Sequence, residues 1–133
     1  MNPRYEIVAE RAGHRCEYCH APERVFNFPF EVEHILPRNR AGKGDLENLA
    51  LACRACNLFK SSYTFRFDME TQTEVRLFDP RRDEWAVNFQ IDIGTGEIAG
   101  LTPIGRVTVQ QLQMNNPAQL AARLRWIDWD IFP

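Results

Sequence analysis

The chain has 133 residues, of which 44% are apolar and 26% are charged. This balance is ordinary for a globular protein and argues against an intrinsically disordered chain. The formal charge is −2, from 16 basic and 18 acidic residues. That value argues against a protein that coats nucleic acid through a global positive field. The length fits a single domain over residues 1–133.

The location of the protein is predicted from what the sequence does not contain. No apolar segment typical of a signal peptide follows the first residues. No run reaches the roughly 18 apolar residues that a transmembrane helix needs. We therefore expect a cytoplasmic protein with no membrane partner, in which cysteines stay reduced and favour metal ligation over disulfides.

The first half of the chain alternates short predicted elements with a polar loop. Residues 3–12 predict a helix that Asn2 caps and Gly13 ends. Residues 24–36 predict an extended segment, because phenylalanines alternate at period two and prolines oppose a helix. The elements predicted next are a loop over residues 38–48, a short strand over residues 49–52 and a helix over residues 54–61.

The second half predicts strands, a hairpin and two closing helices. Its first predicted features are strands over residues 65–67 and 75–78 and a turn over residues 79–83. Residues 87–93 and 97–101 predict a β-hairpin around a glycine-rich turn. Thr102-Pro103 and Asn116-Pro117 each combine a capping side chain with a proline, so each predicts the start of a helix.

All four cysteines occur in two Cys-x2-Cys pairs, Cys16 with Cys19 and Cys53 with Cys56, which 33 residues separate. Each pair can place two thiolates on one tetrahedral zinc ion at about 2.3 Å, and two pairs complete the site. A closed four-thiolate site has no open position for substrate, so we expect a structural zinc. A simple zinc ribbon has a spacer of about 15–20 residues. The longer spacer predicts that the zinc holds together the two ends of a long loop, and that functional residues lie in this loop or beside it.

Three alternatives remain open for the cysteines. His14 or His20, which lie beside the first pair, can replace a cysteine as a zinc ligand. The second alternative is four buried cysteines without metal. The third is a redox pair, although the sequence lacks the thioredoxin-like βαβ pattern that usually accompanies one.

The segment from His34 to Lys60 is locally basic, with five basic and two acidic residues in a chain that is negative overall. Three of the basic residues, Arg38, Arg40 and Lys43, lie in the polar loop. Our preferred interpretation is that these three side chains are solvated in a loop, and the second interpretation is that they contact phosphate groups.

A longer motif lies between and around the cysteine pairs. It reads Glu33-His34-Ile35-Leu36-Pro37, then Asn48-Leu49, then Cys53-x2-Cys56-Asn57-x2-Lys60. This order resembles the signature of the HNH endonuclease family over residues 14–62. The resemblance implies an α+β fold with a ββα-metal core that is stabilised by a zinc ion bound to four cysteines. Residues 63–133 are then expected to form a C-terminal extension with a β-hairpin and two helices.

The resemblance also implies roles for individual residues. His34 matches the general base, and the ordinary histidine pKa of about 6.5 suits that task at neutral pH. Asn48 matches a residue that orients the loop and the base, and Lys60 matches a phosphate contact. Glu33 and Asn57 match the ligands of a catalytic divalent cation. Their oxygen atoms suit Mg2+, with Mn2+ as the second choice.

These roles together predict an endonuclease that hydrolyses phosphodiester bonds in DNA and leaves 5′-phosphate and 3′-hydroxyl ends. The family more often has Asp where this chain has Glu33, and His where it has Asn57. The alternative function is a four-cysteine zinc module that binds nucleic acid or protein without cutting. A further hypothesis assigns partner binding to the C-terminal helices over residues 103–133. The sequence leaves the oligomeric state open, a dimer included.

Overall fold

The computed structural model describes residues 2–37 and 45–133, and these ranges combine short helices with short strands. The elements in chain order are α1 (Tyr5–Arg11), β1 (Glu31–His34), β2 (Leu49–Ala52), α2 (Arg54–Lys60), β3 (Phe65–Asp68), β4 (Thr73–Arg76), α3 (Trp85–Asn88), β5 (Phe89–Ile91), β6 (Ile98–Gly100), α4 (Pro103–Gln111) and α5 (Pro117–Asp128). The expected α+β class is confirmed. Among the helices of these ranges, none has the length and apolarity needed to cross a membrane. Most of the predicted loop over residues 38–48, with Arg38, Arg40 and Lys43, lies outside the described residues.

Strands β1 and β2 and helix α2 form a ββα unit. The two strands pair antiparallel, and His34 lies opposite Leu49 at the end of the pairing. All four residues of β2 are buried, which agrees with its unbroken apolar sequence. Helix α2 follows β2 after one residue and contacts both strands. The predicted strand over residues 49–52 is confirmed, and so is the helix that follows it.

Helix α1 packs against the ββα unit. Its Val8 and Ala9 are fully buried, and the helix contacts both β1 and β2. Asn2 Oδ1 accepts a hydrogen bond from the Arg4 N–H at 2.8 Å, so it caps the turn that precedes the helix. Gly13 follows the helix with a φ of +64°, a conformation that favours glycine.

Two further antiparallel hairpins follow the ββα unit, one formed by β3 and β4 and one by β5 and β6. Within residues 2–37 and 45–133, the three hairpins are separate two-stranded sheets. Strand β4 ends earlier than predicted, because Leu77 and Phe78 leave it and enter the core. Strand β5 is shorter than the predicted segment over residues 87–93, because residues 85–88 form the helical turn α3.

Helices α4 and α5 begin where the sequence predicts. Thr102 Oγ1 accepts a hydrogen bond from the Gly105 N–H at 3.0 Å, and Asn116 Oδ1 accepts one from the Gln119 N–H at 3.0 Å. A proline occupies the first turn of each helix. Helix α4 packs on β3 and β6. A side chain at Gly105 would overlap the carbonyl oxygen of Asn88, so this close approach requires glycine.

The C-terminal residues also contact the segment that carries the first cysteine pair. The indole Nε1 of Trp85 donates to the carbonyl oxygen of Tyr18 at 2.7 Å. The guanidinium of Arg15 donates to the carbonyl oxygen of Ile131 at 3.0 Å. The turn between the first two cysteines is therefore held in part by residues far along the chain.

The predicted extended segment over residues 24–36 is wrong for its first part. Glu23–Val25 forms a single 3-10 turn, and only the end of the predicted segment is strand. The Glu23 carboxylate explains the difference. It accepts hydrogen bonds from the Phe30 N–H at 2.6 Å and from the Tyr5 hydroxyl at 2.6 Å. These tertiary contacts bend the chain where period-two alternation alone predicts a straight strand.

Candidate metal centre and active site

The four cysteines come together from two turns of the same design. Cys16 and Cys19 lie in the turn after α1, where the Cys19 N–H donates to Cys16 Sγ at 3.5 Å. Cys53 precedes α2 and Cys56 lies in its first turn, where the Cys56 N–H donates to Cys53 Sγ at 3.4 Å. Each turn therefore aims a backbone N–H at the sulfur of its first cysteine, which stabilises negative charge there.

The cysteine cluster has the dimensions of a tetrahedral zinc site. All four Sγ atoms lie within 4.8 Å of one another, and the Sγ atoms of Cys19 and Cys53 are 3.8 Å apart. Four sulfurs at about 2.3 Å from one zinc ion stand about 3.8 Å from each other. A disulfide needs about 2.05 Å between its sulfurs, and all four cysteines are free. The donor set therefore fits a structural zinc ion.

Hydrogen bonding and burial act in different directions on the thiols of the cluster. Hydrogen bonds from Cys16, and then from Cys19 and Cys56, lower the pKa of Cys53 far below its usual range. Hydrogen bonding within the cluster, followed by burial, raises the pKa values of Cys19 and Cys56. Zinc binding displaces the protons from its ligands, so a bound zinc ion would hold all four cysteines as thiolates.

The two histidines beside the first cysteine pair are engaged elsewhere. His14 Nδ1 lies 2.7 Å from Glu23 Oε1, and the His20 ring stacks on Trp85 with the ring centroids 4.0 Å apart. Across the part of the chain that the structure describes, the group of side chains that could hold a metal consists of the four cysteines. The geometry therefore favours four thiolates over a ligand set that includes either histidine.

His34 is the last residue of β1 and is half-buried. The main chain at and after it is bonded from two directions. Lys60 Nζ donates to the carbonyl oxygen of Ile35 at 2.9 Å and lies 3.4 Å from that of His34. The Ile35 N–H donates to the carbonyl oxygen of Asn48 at 2.9 Å. The end of β1 is thus held both by α2 and by the residue before β2.

Glu33 lies in the interior and is only 5% exposed. Its Oε1 is 2.5 Å from Lys60 Nζ, and its Oε2 accepts a hydrogen bond from the Tyr18 hydroxyl at 2.8 Å. Burial raises the pKa of Glu33, whereas the Lys60 ammonium and the Tyr18 hydroxyl act in the opposite direction. The Lys60 ammonium therefore offsets part of the cost of burying the Glu33 carboxylate.

Asn57 meets a different carboxylate. Its Nδ2 donates a short hydrogen bond to Glu31, whose other oxygen lies 3.5 Å from the Arg54 guanidinium. Glu31 and Glu33 are two residues apart on β1, so both side chains leave the strand on the same face. Asn57 and Lys60 are three apart on α2 and also share a face. The two faces meet, so that Glu31 contacts Asn57 and Glu33 contacts Lys60.

The two cation ligands predicted from sequence, Glu33 and Asn57, each contact another side chain of the protein. Both carboxylate oxygens of Glu33 are engaged within the protein, by Lys60 and by Tyr18. Asn57 has its amide nitrogen on Glu31. A cation held jointly by Glu33 and Asn57 therefore remains a prediction from the sequence.

Sequence reasoning missed two residues of this region, Tyr18 and Glu31. Tyr18 lies between the first two cysteines and is fully buried. Its position between two predicted zinc ligands was the signal that could have identified it. Glu31 precedes Glu33 by two residues, and the period of a strand was enough to place both carboxylates on one face. The pairing of Glu33 with Lys60 had no signal in the sequence.

Residues 16–62 match the sequence model of the HNH endonuclease family. The matched segment is less than half of the chain, and it contains both cysteine pairs and the ββα unit. No curated protein and no solved structure matches the chain.

Proposed function

From the premise that residues 16–62 form an HNH endonuclease core, we propose that this protein hydrolyses phosphodiester bonds in DNA. The observation that carries the proposal is the double support of the main chain around His34. Asn48 and Lys60 both match positions of the HNH signature, and both form hydrogen bonds with the main chain of Ile35, the residue after His34. A base that must meet a water molecule and a phosphate needs such a fixed backbone.

In the proposed reaction, the neutral imidazole of His34 takes a proton from water while the water oxygen attacks phosphorus. The bond between phosphorus and the 3′ oxygen breaks, which leaves a 5′-phosphate and, after protonation, a 3′-hydroxyl. Phosphodiester hydrolysis of this kind commonly uses a divalent cation to stabilise charge on the phosphoryl and leaving oxygens. We therefore propose a requirement for Mg2+ or Mn2+.

The four-thiolate zinc is proposed to act as a scaffold rather than in the chemistry. A closed set of four thiolates has no open position for water or phosphate. Its ligands Cys53 and Cys56 bracket the start of α2, the helix that carries Asn57 and Lys60. The zinc would thus fix the helix that faces β1.

Nicking of supercoiled plasmid in Mg2+ or Mn2+ tests the proposal. We expect wild-type protein to nick, DNA ligase to seal the nicks, and His34→Ala to lower the rate by on the order of 10²–10⁴-fold, as for loss of a general base. His14→Ala is the control, because it removes another imidazole outside β1. All variants must retain zinc. Equal nicking by wild type and His34→Ala would show that His34 is not the base.

The second candidate function is a zinc module that binds nucleic acid without cutting. The Glu33–Lys60 ion pair favours it, because the two charges compensate each other in the interior and both side chains are buried. This candidate predicts a bound zinc and DNA binding, with no nicking in Mg2+, Mn2+ or any other divalent metal.

A further inference from the structure

Three segments of the chain meet in one buried polar network. Tyr18 belongs to the turn between the first two cysteines, Glu33 to β1 and Lys60 to α2. The Tyr18 hydroxyl is 2.8 Å from Glu33 Oε2, and Lys60 Nζ is 2.5 Å from Glu33 Oε1. The side chains of Lys60 and Glu33 are 2% and 4% exposed. The network therefore joins the zinc turn, the strand and the helix in the interior.

The Lys60 ammonium lies against three oxygen atoms of the protein, one in an ion pair and two in hydrogen bonds. They are Glu33 Oε1 at 2.5 Å, the carbonyl oxygen of Ile35 at 2.9 Å and that of His34 at 3.4 Å. An ammonium has three donors and no acceptor. With these oxygens around it and a side chain that is 2% exposed, Lys60 is not open to a phosphate in this conformation, in contrast to the role that the family resemblance implies.

The two carbonyls that Lys60 binds mark the place where β1 stops. Pairing with β2 ends at His34 opposite Leu49. A carbonyl that leaves a ladder in a partly buried place needs another donor. Lys60 supplies that donor to the carbonyl oxygens of His34, the proposed base, and of Ile35. Glu33 in turn holds the ammonium in place and compensates its charge.

We propose that Lys60 is a positioning residue that sets the backbone of His34, and that Glu33 serves as the holder of Lys60 rather than as a cation ligand. This inference rests on the proposed nuclease function. It changes two of the roles that the resemblance implies, and it leaves His34 as the group that touches the reacting water.

Nicking kinetics of Lys60→Met, Glu33→Gln and the double variant test the inference. Met cannot donate to the carbonyls of His34 and Ile35, so we expect kcat to fall by on the order of 10- to 100-fold in Lys60→Met. The KM for DNA should change by less than about 3-fold, because no phosphate contact is lost. A rise in KM with kcat unchanged would instead show that Lys60 binds the substrate.

The double variant separates positioning from simple charge compensation. Lys60→Met alone leaves Glu33 buried without its partner, whereas the double variant removes both charges and should recover thermal stability. We expect kcat to stay low in the double variant, because the two carbonyls still lack their donor. Recovery of kcat together with stability would overturn the positioning role.

Binding of Mn2+ alone tests the role of Glu33. If Glu33 is a holder, Glu33→Gln and wild type bind Mn2+ with the same affinity, followed by electron paramagnetic resonance of the free ion. Loss of Mn2+ binding in Glu33→Gln would establish it as a ligand. Tyr18→Phe is the milder variant should Lys60→Met fail to fold, and it should lower kcat without weakening Mn2+ binding.

One readout is independent of cleavage. In Lys60→Met, the carbonyl ¹³C resonances of His34 and Ile35 should move, whereas Arg54→Met, on the exposed side of the same helix, should leave them in place. If the wild type cuts nothing, the nuclease proposal fails while this comparison still decides whether Lys60 sets the backbone. Unchanged carbonyl resonances in Lys60→Met would refute the inference itself.

Discussion

The side chain of Asn48 forms two hydrogen bonds with the main chain of Leu36, two residues after His34. Its Oδ1 accepts from the Leu36 N–H at 2.9 Å, and its Nδ2 donates to the Leu36 carbonyl oxygen at 2.9 Å. The amide thus pairs with the backbone as a neighbouring strand would, just beyond the last pair of β1 and β2. An asparagine that orients the base needs a contact of this kind, although its role in the reaction remains a proposal.

Asn48→Ala should slow nicking by about 10-fold or more, because the chain after His34 loses both bonds and a small displacement of a base is costly. The chain offers a matched control. Asn115 makes the same pair of bonds, each 2.8 Å long, with the main chain of Ile98 in β6. Each alanine variant should lose about 1–2 kcal/mol of stability, measured by urea unfolding, but only Asn48→Ala should lose activity. Equal nicking rates in the two variants would contradict the positioning of His34 by Asn48.

Zinc removal should unfold the ββα unit. Structural zinc contributes about 10–16 kcal/mol in small zinc domains, which is comparable with the whole stability of an ordinary domain. Metal analysis should give one zinc per chain. Cys53→Ser, or a strong chelator, should abolish the helical circular dichroism of α2 and the nicking activity together. His20→Ala should keep its zinc, and zinc loss in that variant would bring the histidine back as a ligand.

Arg123 should be a main stabilising residue of the C-terminal region. It is fully buried, and its guanidinium donates to the carbonyl oxygens of Gly96 and Met114 at 2.7 Å each. Arg123→Met leaves both carbonyls without this donor and should cost about 2–5 kcal/mol. Arg125→Met, on the exposed side of the same helix, should cost less than about 0.5 kcal/mol. Urea midpoints decide between them, and similar midpoints would mean that the buried guanidinium contributes little.

The parts of the fold that local chemistry determines were predictable. The capped helix starts at Thr102 and Asn116 depend on neighbouring residues only, and the structure confirms both. The clustering of Cys16, Cys19, Cys53 and Cys56 was also predictable, because the spacing of each pair is itself a ligand geometry.

The parts that depend on long-range contacts were not predictable. The Glu23 carboxylate redirects the chain at Phe30 through a side-chain bond that periodicity does not encode. The ion pair of Glu33 and Lys60 depends on how closely β1 and α2 pack, and the two residues are far apart in the sequence. From the sequence, Glu33 was expected to bind a cation and Lys60 to contact a phosphate. The sequence contains no signal that Glu33 and Lys60 form an ion pair with each other.

The buried packing of α4 and of the residues that follow it changes how the partner-binding hypothesis is to be tested. Val107, Leu112 and Met114 are fully buried. Deletion of residues 103–133 would therefore expose the core as well as remove a surface. Substitution of exposed residues such as Leu124 and Trp129, which are 37% and 59% exposed, leaves the core intact and is the better design.

The sulfur of Cys53 has two tasks, since it belongs to the metal cluster and also accepts the N–H of Cys56 at the start of α2. Most helices are capped by an oxygen that is present as soon as the chain is made. Here the cap is a sulfur that is also a metal ligand, so its position is fixed when the ion binds. During synthesis, the helix that faces the proposed base would thus be completed by the supply of zinc. A newly made chain would remain inert toward DNA until it has been metallated.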